Sequence, residues 1–329
     1  MRKVLVQLKL RYIYLVFLIP IFLLFAFSTS LTMATIASGQ ENSYLPCKCV
    51  IFRLDDVGDY GANQVQSSIM DHFISENKKL IVAIILNDFG NLGPDGVVYA
   101  KVKEGYDKGL FELGIHGWNH IKYSDLTEGQ QLDSFIEANR KLQSLFGNKS
   151  RIFVPPFNEF NSGTVQAMGK AGLNIFSTSY QKEDRTPNPY KVSNRFITNN
   201  SKIQMSEANI YDSSSSHTIK EPVYHVPFDT SYLELIRQGY SGENLTQKIL
   251  TNVNKNIARY GFSVITLHPT DFAAIDSSTG KYTNSVDAIK FQYLVDIIDM
   301  LQSQRISITD FSHITKVPFY QMNSNSSSR

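Results

Sequence analysis

What most limits the fold of this chain is an alternation along its length. Apolar runs of strand length take turns with stretches whose apolar residues recur at helical spacing. CVIFRL (Cys49 to Leu54) and LIVAIIL (Leu80 to Leu86) read as strands, the second apolar enough to be buried on both faces. Between them Val65, Ile69 and Phe73 keep helical spacing, and a helix through Val98 and Val102 leads to FELGI (Phe111 to Ile115). Thr127-x-x-Gln130 is a capping-box signature for a helix carrying Leu132, Phe135, Ile136, Leu142 and Leu145. RIFVPPF and LNIFSTS read as strands on either side of a helix from Gly163 to Lys170. VYHVPF and FSVITL follow, separated by a helix from Leu245 to Tyr260. A last amphipathic helix, with Val286, Ile289, Tyr293, Ile297 and Leu301 on one face, precedes the strand ISITDF. Seven or eight strands alternating with helices predict an α/β fold with a parallel sheet, most simply a (β/α)7–8 barrel whose closure need not be complete.

The flanks of this pattern differ from it. Arg2, Lys3, Lys9 and Arg11 precede sixteen non-charged residues, Tyr12 to Phe27. That charge asymmetry predicts a hydrophobic leader, either a signal peptide or an uncleaved N-terminal transmembrane anchor helix. In both cases the body is expected outside the cytoplasm, and the membrane is a partner only if the leader is retained. Residues 1–40 are thus read as leader and linker, 41–320 as one barrel, and 321–329 as a disordered tail. Cys47 and Cys49 leave three states open: free thiols, a strained disulfide or an intermolecular bond. With 32 Lys and Arg against 30 Asp and Glu, the net charge of +2 excludes a disordered polyelectrolyte and a basic nucleic-acid-binding face. The stretch from Tyr180 to Glu221 breaks the rhythm and reads as a rim or lid over a site.

Strand ends face the active site in such a barrel. Four polar clusters fall there: Asp55-Asp56 after CVIFRL, His116 to His120 after FELGI, Pro155-Pro156-Phe157-Asn158 after RIFV, and His268-Pro269 after FSVITL. Each alone reads as a turn, a bend or a surface pair; their joint occurrence changes the balance. Two histidines one helical turn apart point the same way, and with one carboxylate they suit zinc or another first-row divalent ion with positions left open. Side chains of adjacent strand residues diverge, so one aspartate can bind metal while its neighbour serves as a base. His268 is the candidate acid on the far side of a substrate. Trp118 is weighed as packing beneath the site against a platform for a sugar ring, with packing preferred. His225, before a strand end, is the one other histidine that stands out.

The clusters, in this order, resemble the motifs of the polysaccharide deacetylases with a NodB-homology domain (carbohydrate esterase family four): Asp-Asp, His-x-x-x-His, Arg-x-Pro-aromatic and a late Leu-His. The resemblance spans roughly residues 48 to 315 and marks a divergent member. It implies an irregular (β/α) barrel and one divalent cation, zinc before cobalt, nickel, manganese or iron, held by Asp56, His116 and His120. It further implies Asp55 as general base, His268 as general acid, and the Phe157 backbone N–H, with Pro156 and Asn158 beside it, on the oxyanion and substrate side. The expected reaction is removal of N-acetyl groups from a polysaccharide or oligosaccharide by metal-activated water. Two positions depart from the pattern: Val154 stands where the family has an arginine, and Asn158 where it has a glycine. Arg53 and Arg151 are the arginines that can substitute. Asp229 and Asp271 are candidates to orient the acid histidine. Alternatives are a metal-dependent amidase or esterase acting on a small acylated molecule, and a non-catalytic glycan-binding pseudoenzyme of the same fold.

Overall fold

A computed structural model describes residues 47–93, 96–179, 223–228 and 230–316. The leader, the excursion from Tyr180 to Glu221, Asp229 and the tail lie outside the described residues. No helix among the described residues is long and apolar enough to cross a membrane.

The alternation read from sequence is realised as a curled parallel sheet covered by helices. Its elements begin with β1 (Cys49–Val57), α1 (Asn63–Ser75), β2 (Leu80–Ile84), α2 (Val97–Asp107), β3 (Phe111–Ile115) and α3 (Glu128–Phe146). Next come β4 (Ile152–Phe153), α4 (Ser162–Ala171), β5 (Ile175–Phe176), β6 (Tyr224–His225), β7 (Thr230–Ser231), α5 (Tyr232–Arg237), α6 (Gly242–Tyr260) and β8 (Phe262–Leu267). The chain ends in β9 (Ala273–Ile275), β10 (Tyr282–Val286), α7 (Ala288–Ser303), β11 (Ser307–Thr309) and α8 (Phe311–Lys316). Strand order is β6-β5-β4-β3-β2-β1-β8-β7, with β11 pairing on the first residues of β1. Every pair in this sheet is parallel. Among the described residues no ladder joins β6 to β7, so this is the irregular (β/α) barrel of the NodB-homology type.

The period of two along each strand sorts side chains into two layers. On β1, Val50, Phe52 and Leu54 join the large core between sheet and helices, while Cys49 and Ile51 join a second cluster inside the curl with Ile81, Ala83, Val264 and Phe311. Arg53 and Asp55 continue the inward row. By the same count Gly114 and His116 follow the inward row of β3, and Thr266 and His268 that of β8. Phe311 and Ile314 of α8 close the end of the curl away from the polar clusters.

Local signals were accurate where they had a physical device behind them. Thr127 caps α3, its hydroxyl accepting from Gln130 N–H while the Gln130 side chain accepts from Thr127 N–H. The last long helix begins later than the apolar spacing suggests. Asp287 caps it by accepting from the N–H groups of Ile289 and Lys290, which leaves Val286 in β10 and Ile289 exposed. RIFVPPF, LNIFSTS and VYHVPF shrink to two-residue strands, although backbone bonds carry on past them, from Val154 N–H to Ile115, Ser177 N–H to Phe153 and Val226 N–H to Phe176. The β9–β10 hairpin, β7, α5 and α8 had no reading in the sequence. Cys47 and Cys49 are bonded to each other, which decides among the three states left open.

Candidate metal centre

β1 runs past Leu54 through both aspartates, and its pairing with β2 shifts register between Leu54 and Val57. Asp56 sits at this bulge with φ 58°, a left-handed conformation rare for a residue with a side chain. An undisturbed strand would send Asp56 to the helix side with Leu54. The bulge turns it instead, and Val57 beyond it takes the helix-side place. Adjacent carboxylates thus reach different partners.

Asp56 Oδ1 lies 2.9 Å from His116 Nε2 and 3.0 Å from His120 Nε2. The donor atoms of the three residues all fall within 4.8 Å of one another. The histidine pair is not on a helix: residues 116–120 form a turn after β3, and Gly117 adopts φ 87° with no room for a side chain, since a Cβ would lie 2.6 Å from the Asn119 carbonyl. The loop is fixed by backbone bonds from His116 N–H to Ile84, Leu86 N–H to Gly117 and Asn87 N–H to Trp118. His116 Nδ1 is 2.9 Å from the Val154 carbonyl. A carbonyl only accepts, so Nδ1 carries a proton and Nε2 is the ring nitrogen turned to Asp56.

This donor set fits a divalent cation. Two imidazole nitrogens and a carboxylate oxygen converge, and one histidine donates its other N–H to a backbone carbonyl, as metal-ligating histidines do. Burial disfavours the Asp56 charge, but the hydrogen bonds from His116 and His120 outweigh it and hold the carboxyl well below the ordinary carboxylate range. Asp56, His116 and His120 are the residues that would hold the ion.

Asp55 has a separate setting. It is 4% exposed, and Arg53, two residues earlier on the same strand face, grips it with both prongs: Nε donates to Oδ1 at 2.8 Å and Nη2 to Oδ2 at 2.6 Å. Arg53 Nη1 donates to Ser177 Oγ at 2.6 Å, and that hydroxyl donates onward to the Val226 carbonyl. The Arg53 guanidinium also lies over the Phe228 ring at 4.7 Å. Of the two arginines weighed as substitutes, Arg53 pairs with Asp55, whereas Arg151 is exposed. The signal for this was in the sequence: Arg53 and Asp55 share strand parity.

His268 follows β8, whose Leu267 is the register partner of Leu54. Its Nδ1 faces Asp271 Oδ2 at 3.6 Å, an ion-pair distance, while its backbone N–H donates to the same oxygen at 2.8 Å. Burial pulls the His268 pKa down, but the Asp271 contact and the charges of Asp55, Asp271 and Asp56 raise it to about 9. Burial pushes Asp271 above the ordinary carboxylate range against the pull of His268. Of the two acid-orienting candidates, Asp271 adjoins His268 and Asp229 is outside the described residues.

On the third side Pro156 is buried and the Phe157 ring is exposed, 4.3 Å from the His120 ring. Phe157 and Asn158 both have positive φ, 55° and 58°. Asn158 is engaged at both ends of its amide by Ser179, accepting from its N–H and donating to its hydroxyl. Trp118 packs against the core with Lys141 Nζ over its ring at 5.7 Å, in keeping with a packing role. His225 is half-buried, and burial lowers its pKa to about 4.

Strand order and the Asp-His-His set at the strand ends define a (β/α) barrel of the polysaccharide deacetylase type. Residues 47–176 match the family described as polysaccharide deacetylase. No curated protein matches the sequence. Similar solved structures include a carbohydrate esterase family four pseudoenzyme from Bacillus anthracis, with 13% identity and TM-score 0.46, covering 81% of this chain and 64% of that one. The peptidoglycan N-acetylglucosamine deacetylase Bc1960 has 13% identity and TM-score 0.48, covering 81% and 87% of the two chains. The chitin deacetylase from Colletotrichum lindemuthianum has 9% identity and TM-score 0.48, covering 80% and 84%. The chain spans less than two thirds of the length of the Bacillus anthracis protein. Identities this low say nothing about activity.

Proposed function

We propose that this protein is a metal-dependent hydrolase that removes N-acetyl groups from a glycan. The observation that carries the reading is the convergence of Asp56, His116 and His120 beside a second, separately braced carboxylate and a histidine paired with Asp271. A divalent cation, when bound, supplies Lewis acidity that makes water nucleophilic near neutral pH and polarises the amide carbonyl. Asp55 takes a proton from the attacking water, with Arg53 fixing the direction of its lone pairs. The water oxygen bonds to the carbonyl carbon, the C–N bond breaks, and His268 gives a proton to the departing amine. The Phe157 backbone N–H donates to the carbonyl oxygen as charge develops there. Asp271 holds the His268 ring and keeps it charged, so a proton is available for transfer at neutral pH.

The missing arginine at Val154 favours a non-catalytic barrel only if nothing replaces it, and Arg53 does. Chitin and peptidoglycan deacetylases among the similar folds agree with an N-acetylated polysaccharide or oligosaccharide as substrate. We also propose an extracytoplasmic location, supported by the leader pattern and by the Cys47–Cys49 disulfide, which oxidising compartments maintain.

The test is acetate release from N-acetylated oligosaccharides and cell-wall fragments, with and without chelator. Release that chelator stops, and that Asp55→Asn lowers by about a hundredfold or more with the metal still bound, is expected. Undiminished release in Asp55→Asn refutes the assignment of the base.

A further inference from the structure

The residues just after Asp56, Gly58 to Ala62, are held by side chains on all sides. Buried Gln66 accepts from Gly58 N–H and donates to the carbonyls of Gly58, at 2.9 Å, and Gly61, at 2.7 Å. Asp59 accepts from Gly90 N–H at 2.6 Å and from Tyr99 N–H at 3.3 Å. On this braced loop the Tyr60 ring is 56% exposed. It lies in the space that Gly58 leaves open, where a Cβ on Gly58 would stand 2.3 Å from Tyr60 Cε1. Tyr60 stands four residues beyond Asp56 on the loop that leaves β1, and burial and then the charges of Asp56 and Asp88 push its phenol up to about 12.

An exposed ring adds little to the core, yet this one rises from a loop whose backbone is braced by Gln66 and Asp59 and lies against Gly58. Rigid aromatic faces beside a polar site suit ligand binding, because little freedom remains to be lost on contact. A second exposed ring, Phe157 at 57%, touches His120. One exposed ring on the Asp56 loop and one on the His120 side each offer an aromatic face to the C–H bonds of a sugar ring. We infer that Tyr60 is a specificity-determining platform on which one ring of an N-acetylated oligosaccharide stacks. This rests on the proposed deacetylase reading for its substrate class.

The experiment is calorimetric titration of the zinc-loaded full-length chain with a β-1,4-linked tetramer of N-acetylglucosamine. Tyr60→Ala weakens binding about tenfold, Tyr60→Phe keeps it, and Gly58→Ala weakens it by displacing the ring. Zinc content is expected to stay the same in all three variants, which separates loss of the platform from loss of the metal centre. Equal affinity in Tyr60→Ala, or no tetramer binding by the wild-type chain, overturns the inference. Acetate release is followed in the same samples. Tyr60-dependent binding without release overturns the deacetylase reading and leaves the platform standing. Release with Tyr60-independent affinity does the reverse.

Discussion

Strands β1, β2, β3 and β8 run for five to nine residues each, whereas β4, β5, β6 and β7 are two residues each. The candidate ligands, base and acid all lie on or just after strands of the long half. On that side continuous backbone ladders set side-chain direction, and one bulge re-aims Asp56. In the short half ladders are brief, with bonds such as Ser177 N–H to Phe153 and Val226 N–H to Phe176, and side chains add to them: Ser177 to Val226 and Asn158 to Ser179. Arg53 joins the halves, reaching from β1 to the end of β5. The long half rests on continuous ladders, and the short half on briefer ones with buried polar contacts added.

Removing the join is expected to have the largest effect. Arg53→Met leaves the buried Asp55 carboxylate unpaired and should cost about 3–5 kcal/mol in urea unfolding, with part regained when Asp55→Asn is added. A loss within a few tenths of a kcal/mol would mean the halves are not coupled through this residue.

The second test is pH, applied to the metal-free protein. His268 has a folded pKa of about 9 against an ordinary 6.5, so its stabilisation is fully present below about pH 6.5 and is lost as pH rises through 9. The shift corresponds to at most about 3 kcal/mol, less once partial exposure and screening are counted. Thermal unfolding across pH 6 to 10 should show this decline, and Asp271→Asn should flatten it. An unchanged profile in Asp271→Asn removes Asp271 as the partner that keeps His268 charged.

The smallest effect lies in the short half. Asn158→Ala breaks both bonds to Ser179 and puts alanine at φ 58°, at a cost of about 1–3 kcal/mol. Asn158→Gly breaks the same bonds without the backbone penalty and should unfold at a higher temperature than the alanine variant. Equal melting temperatures would show that the conformation there is not strained.

The long half was largely legible in the sequence because its signals are local. FELGI and FSVITL are the observed strands, and strand parity alone puts Arg53, Asp55, His116 and His268 on the inward face. Asp56 could not be placed that way, since a bulge breaks parity and carries no sequence mark here. The His116–His120 spacing suggested a helical turn, but Gly117 in a left-handed conformation brings the rings together instead. In the short half the partners Ser177, Val226 and Ser179 are distant in sequence from Arg53 and Asn158, so no local pattern announces them. The loop from Gly58 to Gly61 carries no local sign of being braced, because its partners Gln66, Gly90 and Tyr99 come from later elements.

The account stands on a divalent ion held by Asp56, His116 and His120. Equilibrium dialysis of the purified chain against zinc, with elemental analysis, tests it directly. One ion per wild-type chain is predicted, with affinity reduced by at least about a hundredfold in His116→Ala and Asp56→Asn. A wild-type chain that takes up no ion, or variants that hold it as tightly, would contradict the account.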